Sequence, residues 1–165
     1  MVTLGLDAST TCVGYAFTED KKILDMGFID IKKEKTPKDK VEKVLDFLHE
    51  SPYIDTVTDI NIEDNLSGFA GGRTSQQVII KLAKFNAILC FMLENFDFKV
   101  HNINPMTARK NVFGKARVKG KKAKQFVQEE IGISETSICM MDWLCHYMKK
   151  KLDLCYRNVL YYINV

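Results

Sequence analysis

The chain has 165 residues, 46% hydrophobic and 27% charged, the balance of one globular domain with a single core; collagen-like, coiled-coil and disordered chains are excluded. Its longest uninterrupted apolar run, residues 87–93, is far too short to span a bilayer, and residues 1–7 reach a carboxylate without the basic start of a signal peptide. A cytoplasmic (intracellular), reduced protein with no membrane partner is therefore expected.

The net charge of +3 conceals an uneven distribution. Residues 109–124 carry eight basic side chains and no acidic one, leaving 16 of the 24 basic residues against all 21 acidic ones elsewhere. A mildly acidic body with one concentrated basic segment suggests an anionic partner, nucleic acid first. The cysteines (Cys12, Cys90, Cys139, Cys145, Cys155) form no C-x-x-C pair and no zinc-type spacing with histidine.

In chain order, residues 2–7 predict a first strand and residues 12–18 a second, joined by the turn Ala8-Ser9-Thr10-Thr11. A third follows over residues 22–31. Thr36-Pro37 starts a helix to about Glu50, with Thr as N-cap and Pro at the first helical position. Its stripe is Val41, Val44, Leu45 and Leu48. Residues 55–63 alternate through Val57, Asp59 or Ile60, and Ile62, and predict a fourth strand ending at Glu63.

After a glycine-rich loop (Gly68, Gly71, Gly72), Thr74-Ser75 caps a long helix to about Asn95. Val78, Leu82, Phe85, Leu89 and Met92 form one face, and Ile79, Ile80, Ala83, Ala87, Ile88 and Phe91 cover much of the rest. A helix apolar nearly all round is buried on two sides. One side rests on the sheet, so the other is expected to meet a second copy in a homodimer. Residues 98–103 predict a fifth strand, closed by Asn104-Pro105. A short helix near Thr107, a helix from about Lys121 to Glu130 and a final helix complete a single α/β domain over residues 1–165: a five-stranded mixed sheet flanked by helices.

Two acidic residues stand where chemistry is usually placed. Asp7 ends the first strand and Glu63 the fourth. If the central strands run parallel, the two carboxylates converge on one edge and repel unless a cation lies between them. Oxygen donors and a demand for divalent charge point to Mg²⁺ or Mn²⁺.

The stretch Leu4-Gly5-Leu6-Asp7-Ala8-Ser9-Thr10-Thr11-Cys12-Val13-Gly14-Tyr15 resembles the opening hairpin of the RuvC-like Holliday junction resolvases, within the ribonuclease H-like superfamily. Ile62-Glu63 is similar to that family's second carboxylate, and Gly68-Phe69-Ala70-Gly71-Gly72-Arg73-Thr74-Ser75, with Leu82-Ala83-Lys84-Phe85-Asn86, to the loop and helix of its phage-type members. Asn104-Pro105, Arg109-Lys110 and Gly114-Lys115 resemble its following basic block. The resemblance covers about residues 2–131. It implies a ribonuclease H-like fold and a dimeric endonuclease that nicks four-way DNA junctions with, as its cofactor, two Mg²⁺ (or Mn²⁺) ions held by Asp7, Glu63 and a third carboxylate. Phe69 becomes a wedge at the junction, and Arg73, Arg109, Lys110, Lys115, Arg117, Lys119, Lys121 and Lys122 become DNA contacts, with Lys119, Lys121 or Lys122 standing where the family keeps a lysine near the scissile phosphate.

The resemblance weakens at the end of the chain. Where the family carries an Asp followed by small residues, this sequence has Met140-Met141-Asp142-Trp143, with His146 one turn after Asp142. Asp142 and His146 share a helix face at that spacing and are the remaining metal-ligand candidates. The codons ATG-ATG-GAY-TGG, read one base earlier, give Asp-Gly-Leu and then Ala or Val, which makes the tail from about Ile138 a candidate frameshift product. The coding DNA decides that point. Rival readings are a junction-binding protein with impaired catalysis and a related nuclease acting on hybrid or other branched substrates. A two-lobed sugar-kinase-like ATPase shares the Gly5-x-Asp7 hairpin but needs a second domain that this length does not hold.

Overall fold

A computed structural model of the chain describes residues 1–20, 22–64 and 75–113. Their element order is β1 (Val2–Ala8), β2 (Cys12–Glu19), β3 (Lys22–Asp30), α1 (Pro37–His49), β4 (Val57–Glu63), α2 (Gln76–Asn95), β5 (Lys99–Ile103) and α3 (Pro105–Phe113), with one 3₁₀ turn at Ile54–Thr56. The strands form one sheet in the order β3-β2-β1-β4-β5. β2 runs antiparallel to both β1 and β3, whereas β4 is parallel to both β1 and β5. This is the five-stranded mixed sheet with flanking helices that the sequence predicts. The predicted helices beyond α3 lie outside the described residues.

Alternation sorts the sheet into two unlike faces. Leu4, Leu6 and Ala8 of β1, Val13, Tyr15 and Phe17 of β2, and Ile29 of β3 pack into one core with α1 and α2. α1 contributes Val41, Val44 and Leu48, and α2 contributes Phe85, Leu89 and Leu93. Tyr15 lies flat enough over β3 that its hydroxyl would stand only 2.8 Å from a Cβ at Gly27, the residue opposite it in the ladder. Only glycine leaves room for that ring.

β4 shows why simple alternation left Asp59 and Ile60 undecided. Val2 lies opposite Val57 but Thr3 lies opposite Asp59, so Thr58 is an extra residue in β4. Such a bulge shifts the phase of alternation by one, and Val57, Ile60 and Ile62 all join the core. The strand starts at Val57 and not at Asp55 because residues Ile54–Thr56 coil first. There the Thr56 hydroxyl donates to the Tyr53 carbonyl at 2.7 Å.

α1 begins as predicted. The Thr36 hydroxyl accepts the Asp39 N–H at 3.1 Å, and the Asp39 carboxylate accepts the Thr36 N–H at 3.2 Å, a reciprocal capping box ahead of Pro37. α2 starts after Ser75, whose side chain makes no cap bond. The Ser75 carbonyl instead accepts from the N–H groups of Val78 and Ile79. α2 ends in a Schellman motif: Phe98 N–H donates to the Leu93 carbonyl and Asp97 N–H to that of Glu94. Asp97 takes the left-handed position (φ 64) that glycine usually fills. α3 is capped by Asn104, whose side-chain oxygen accepts the Met106 N–H at 2.8 Å.

α2 is long and apolar enough to cross a membrane by length and composition alone, yet Phe85, Leu89 and Leu93 seat it on the sheet. Val78, predicted on that face, is exposed, because burial starts at Leu82 and the first turns project past the core. The outward side presents Ile80, Ala87, Ile88 and Phe91, with Ile80 53% and Phe91 62% exposed.

Candidate functional site

The sheet face turned away from α1 and α2 carries the acidic pair. Leu6 lies opposite Ile62 in the parallel β1–β4 ladder. One residue further, the two strands bear Asp7 and Glu63 side by side, at a strand spacing of about 4.8 Å. Leu6 and Ile62 point into the helix-covered core, so alternation turns both carboxylates to the opposite face. The pair is buried: Asp7 is 6% and Glu63 8% exposed. On its other side Asp7 lies opposite Gly14 of β2, which places no side chain beside it.

Both strand ends are fixed by hydrogen bonds. After Asp7, the Ser9 hydroxyl donates to the Cys12 carbonyl at 2.8 Å and accepts the Cys12 N–H at 3.1 Å, closing the turn into β2. After Glu63, the Asp64 N–H donates to the Ile103 carbonyl at 2.9 Å. From α2, the Asn86 amide donates to the Glu63 carbonyl at 3.3 Å. Asn86 Oδ1 is buried with no hydrogen-bond partner among the described residues. Asn86 ends the stretch Leu82-Ala83-Lys84-Phe85-Asn86 that resembles the phage-type helix, but the sequence assigned it no role, although a polar residue within the apolar stripe of Leu82, Phe85 and Leu89 was a readable signal.

Two adjacent carboxylates are a hard, anionic donor set, and they fit a divalent cation that keeps several of its waters. Among the described residues, no group of three His, Cys, Asp or Glu side chains stands together to hold a metal ion. The other predicted ligands, Asp142 and His146, lie outside the described residues, as do Phe69, Arg73, Lys115, Arg117, Lys119, Lys121 and Lys122. Arg109 and Lys110 fall on α3, which leaves the sheet just after β5, at the same end as Asp7 and Glu63.

Two further polar groups were not legible in the sequence. Lys40 of α1 donates to the Thr10 carbonyl in the β1–β2 turn, next to Asp7. Burial pushes its ammonium pKa down; Glu34 opposes the shift and Lys81 adds to it. On the face that carries the acidic pair, His101 Nε2 meets Asp59 Oδ1 at 2.8 Å. That bond, and one from the Thr58 hydroxyl, hold the Asp59 carboxyl below its usual range. The pairing of β4 with β5 creates the second contact.

No family model matches the sequence, and no curated protein matches it. Solved structures do. The chain is similar to RuvC of Thermus thermophilus, with a TM-score of 0.63 at 14% identity over 81% of this chain and 82% of that one. It is similar to T. thermophilus RuvC in complex with a Holliday junction substrate, with a TM-score of 0.63 at 12% identity over 98% and 91% of the two chains. The yeast mitochondrial Holliday junction resolvase Ydc2 gives a TM-score of 0.58 at 13% identity, over 98% of this chain and 78% of that one. At such identities the likeness is one of fold. The sheet order β3-β2-β1-β4-β5 with its flanking helices is the ribonuclease H-like fold, shared with RuvC and Ydc2.

Proposed function

We propose that the chain is a metal-dependent, structure-selective endonuclease that cleaves four-way DNA junctions as a homodimer. The observation that carries this reading is the position of Asp7 and Glu63, side by side at the ends of parallel strands in a fold shared with a protein solved on a Holliday junction substrate. Asp7 and Glu63 would hold Mg²⁺ or Mn²⁺, with Asp142 and His146 as the remaining ligand candidates. When bound, such ions supply an activated water and stabilise the leaving oxygen of an in-line phosphodiester displacement. The protein's own part is positional. The Ser9 turn and Asn86 fix the two strand ends, and burial keeps bulk water from screening the carboxylates.

Arg109 and Lys110 on α3 stand at the same sheet end and suit phosphate contacts, which need charge and no base readout. The outward stripe Ile80, Ala87, Ile88 and Phe91 of α2 suits a second copy of the chain. Two copies related by a two-fold axis would bring two such sites to a junction of matching symmetry.

The test is cleavage of a synthetic four-way junction with and without Mg²⁺. Nicking that needs the metal, and that falls by at least about a thousandfold in Asp7→Asn and Glu63→Gln, is the expected result. Tight junction binding with no cleavage in any metal would instead support a binding protein. Preference for RNA–DNA hybrid duplex over the junction would move the activity to another substrate.

A further inference from the structure

The sequence has a second basic run that the charge count of residues 109–124 conceals. Residues 32–40 read Lys32-Lys33-Glu34-Lys35-Thr36-Pro37-Lys38-Asp39-Lys40, with five lysines against two acids. In the fold this run is the connection from β3 to α1 together with the first turn of α1. Both β1 and β3 are antiparallel to β2, so they end at the same edge, where Asp7 lies. The Ile31 N–H donates to the Thr11 carbonyl at 3.1 Å, tying the start of the run to the turn that follows Asp7.

The acids in the run are already engaged. Glu34 pairs with Lys43 at 2.8 Å, and Asp39 closes the cap with Thr36. Lys38 has Glu42 at 3.5 Å. Lys32, Lys33, Lys35, Lys40 and Lys81 of α2 make no ion pair among the described residues, and Lys32, Lys33 and Lys35 are exposed. Lys40 is held against the Thr10 carbonyl, where Glu34 attracts its ammonium and Lys81 repels it. With five lysines against two acids the run keeps a net positive charge, and its exposed lysines attract a polyanion.

We propose that the β3–α1 connection, with Lys81, is a second phosphate-tracking surface that carries the sugar–phosphate backbone of a DNA arm to the Asp7–Glu63 edge. This rests on the nuclease reading above and adds to it the path of the substrate. β3 stands two strand positions from β1, about 10 Å. Arg109 and Lys110 lie on α3, which follows β5, the opposite edge strand of the sheet. The acidic pair, which by itself repels a polyanion, thus shares its sheet end with basic residues that follow both edge strands, β3 and β5. A backbone laid across the sheet end meets lysines before and after it passes the carboxylates. Flexible lysines on a loop suit contacts that position DNA without reading its sequence.

The experiment measures binding of a labelled four-way junction to the full chain by anisotropy, across a salt series. The variant Lys32→Gln/Lys33→Gln/Lys35→Gln changes only exposed side chains, and its thermal melting is compared with wild type to verify folding. The expected result is junction affinity lowered by about tenfold or more, and a slope of log K against log salt smaller by about 2 to 3. Lys81→Gln is expected to lower both further. Unchanged affinity and slope in these variants, while Arg109→Gln/Lys110→Gln weakens binding, would overturn this surface and leave the proposed function standing. A wild-type chain that binds neither junction nor duplex would overturn both.

Discussion

The Asn86 side chain donates to the main-chain carbonyl of Glu63 at 3.3 Å, so α2 fixes the end of β4 at the residue that matters most. That bond crosses between the helix layer and the sheet. It satisfies a carbonyl just beyond the last core residue of the strand, where the ladder with β1 stops.

Replacing Asn86 with alanine therefore affects stability and site geometry together. Losing one partner of this partly buried hydrogen bond costs about 1 kcal/mol, measured by urea unfolding. Junction cleavage should slow while junction affinity holds, since Asn86 positions Glu63 and touches no phosphate. An unchanged cleavage rate would show that the strand end holds without α2.

The His101–Asp59 pair predicts a pH dependence. The Asp59 carboxyl is held below its unfolded value, first by His101 and then by Thr58. A depressed carboxyl pKa stabilises the fold above the unfolded pKa, and that contribution is lost as pH falls through the folded pKa. Asp59→Asn should thus destabilise the protein at neutral pH, by no more than about 1 kcal/mol for a partly exposed pair. The gap between variant and wild type should close in acid. A gap that persists at low pH would assign the effect to something other than ionisation.

Asp97 ends α2 with φ 64, a left-handed conformation that strains a residue with a Cβ. Asp97→Gly should raise stability by about 0.5–1 kcal/mol, because the Schellman bonds from Asp97 and Phe98 stay in place. Thermal melting decides it. A drop in melting temperature would mean that the carboxylate supports the turn.

The outward stripe of α2 gives a prediction about assembly. Sedimentation should find twice the 18.9 kDa chain mass, and Ile80→Lys/Phe91→Lys should return it to one chain. Both side chains are exposed in the single chain, so their replacement leaves the core intact. A monomeric wild type would remove the proposed two-fold pairing of sites.

Much of this was legible from local chemistry. Apolar alternation set β1 and β2, Thr36 and Pro37 set the start of α1, and Asn104 with Pro105 set the end of β5, because these signals act within a few residues. The resemblance of the Asp7 hairpin supplied the fold class. Other features depend on which strands pair. The bulge at Thr58 exists only against β1, and it decides that Ile60 faces the core and Asp59 the other side. The parallel β1–β4 ladder, an association across more than fifty residues of chain, is what places Glu63 beside Asp7.

The sequence by itself determined a small α/β domain with an acidic residue at the end of each of two strands and a basic block after the fifth. Only the tertiary structure decided that the Lys32–Lys33–Lys35 run shares the edge with Asp7. The net charge of +3 is a sum over the chain and records no positions. Strand direction and register do, because they carry charges distant in sequence to one end of the sheet, where Coulomb interactions act over ångströms.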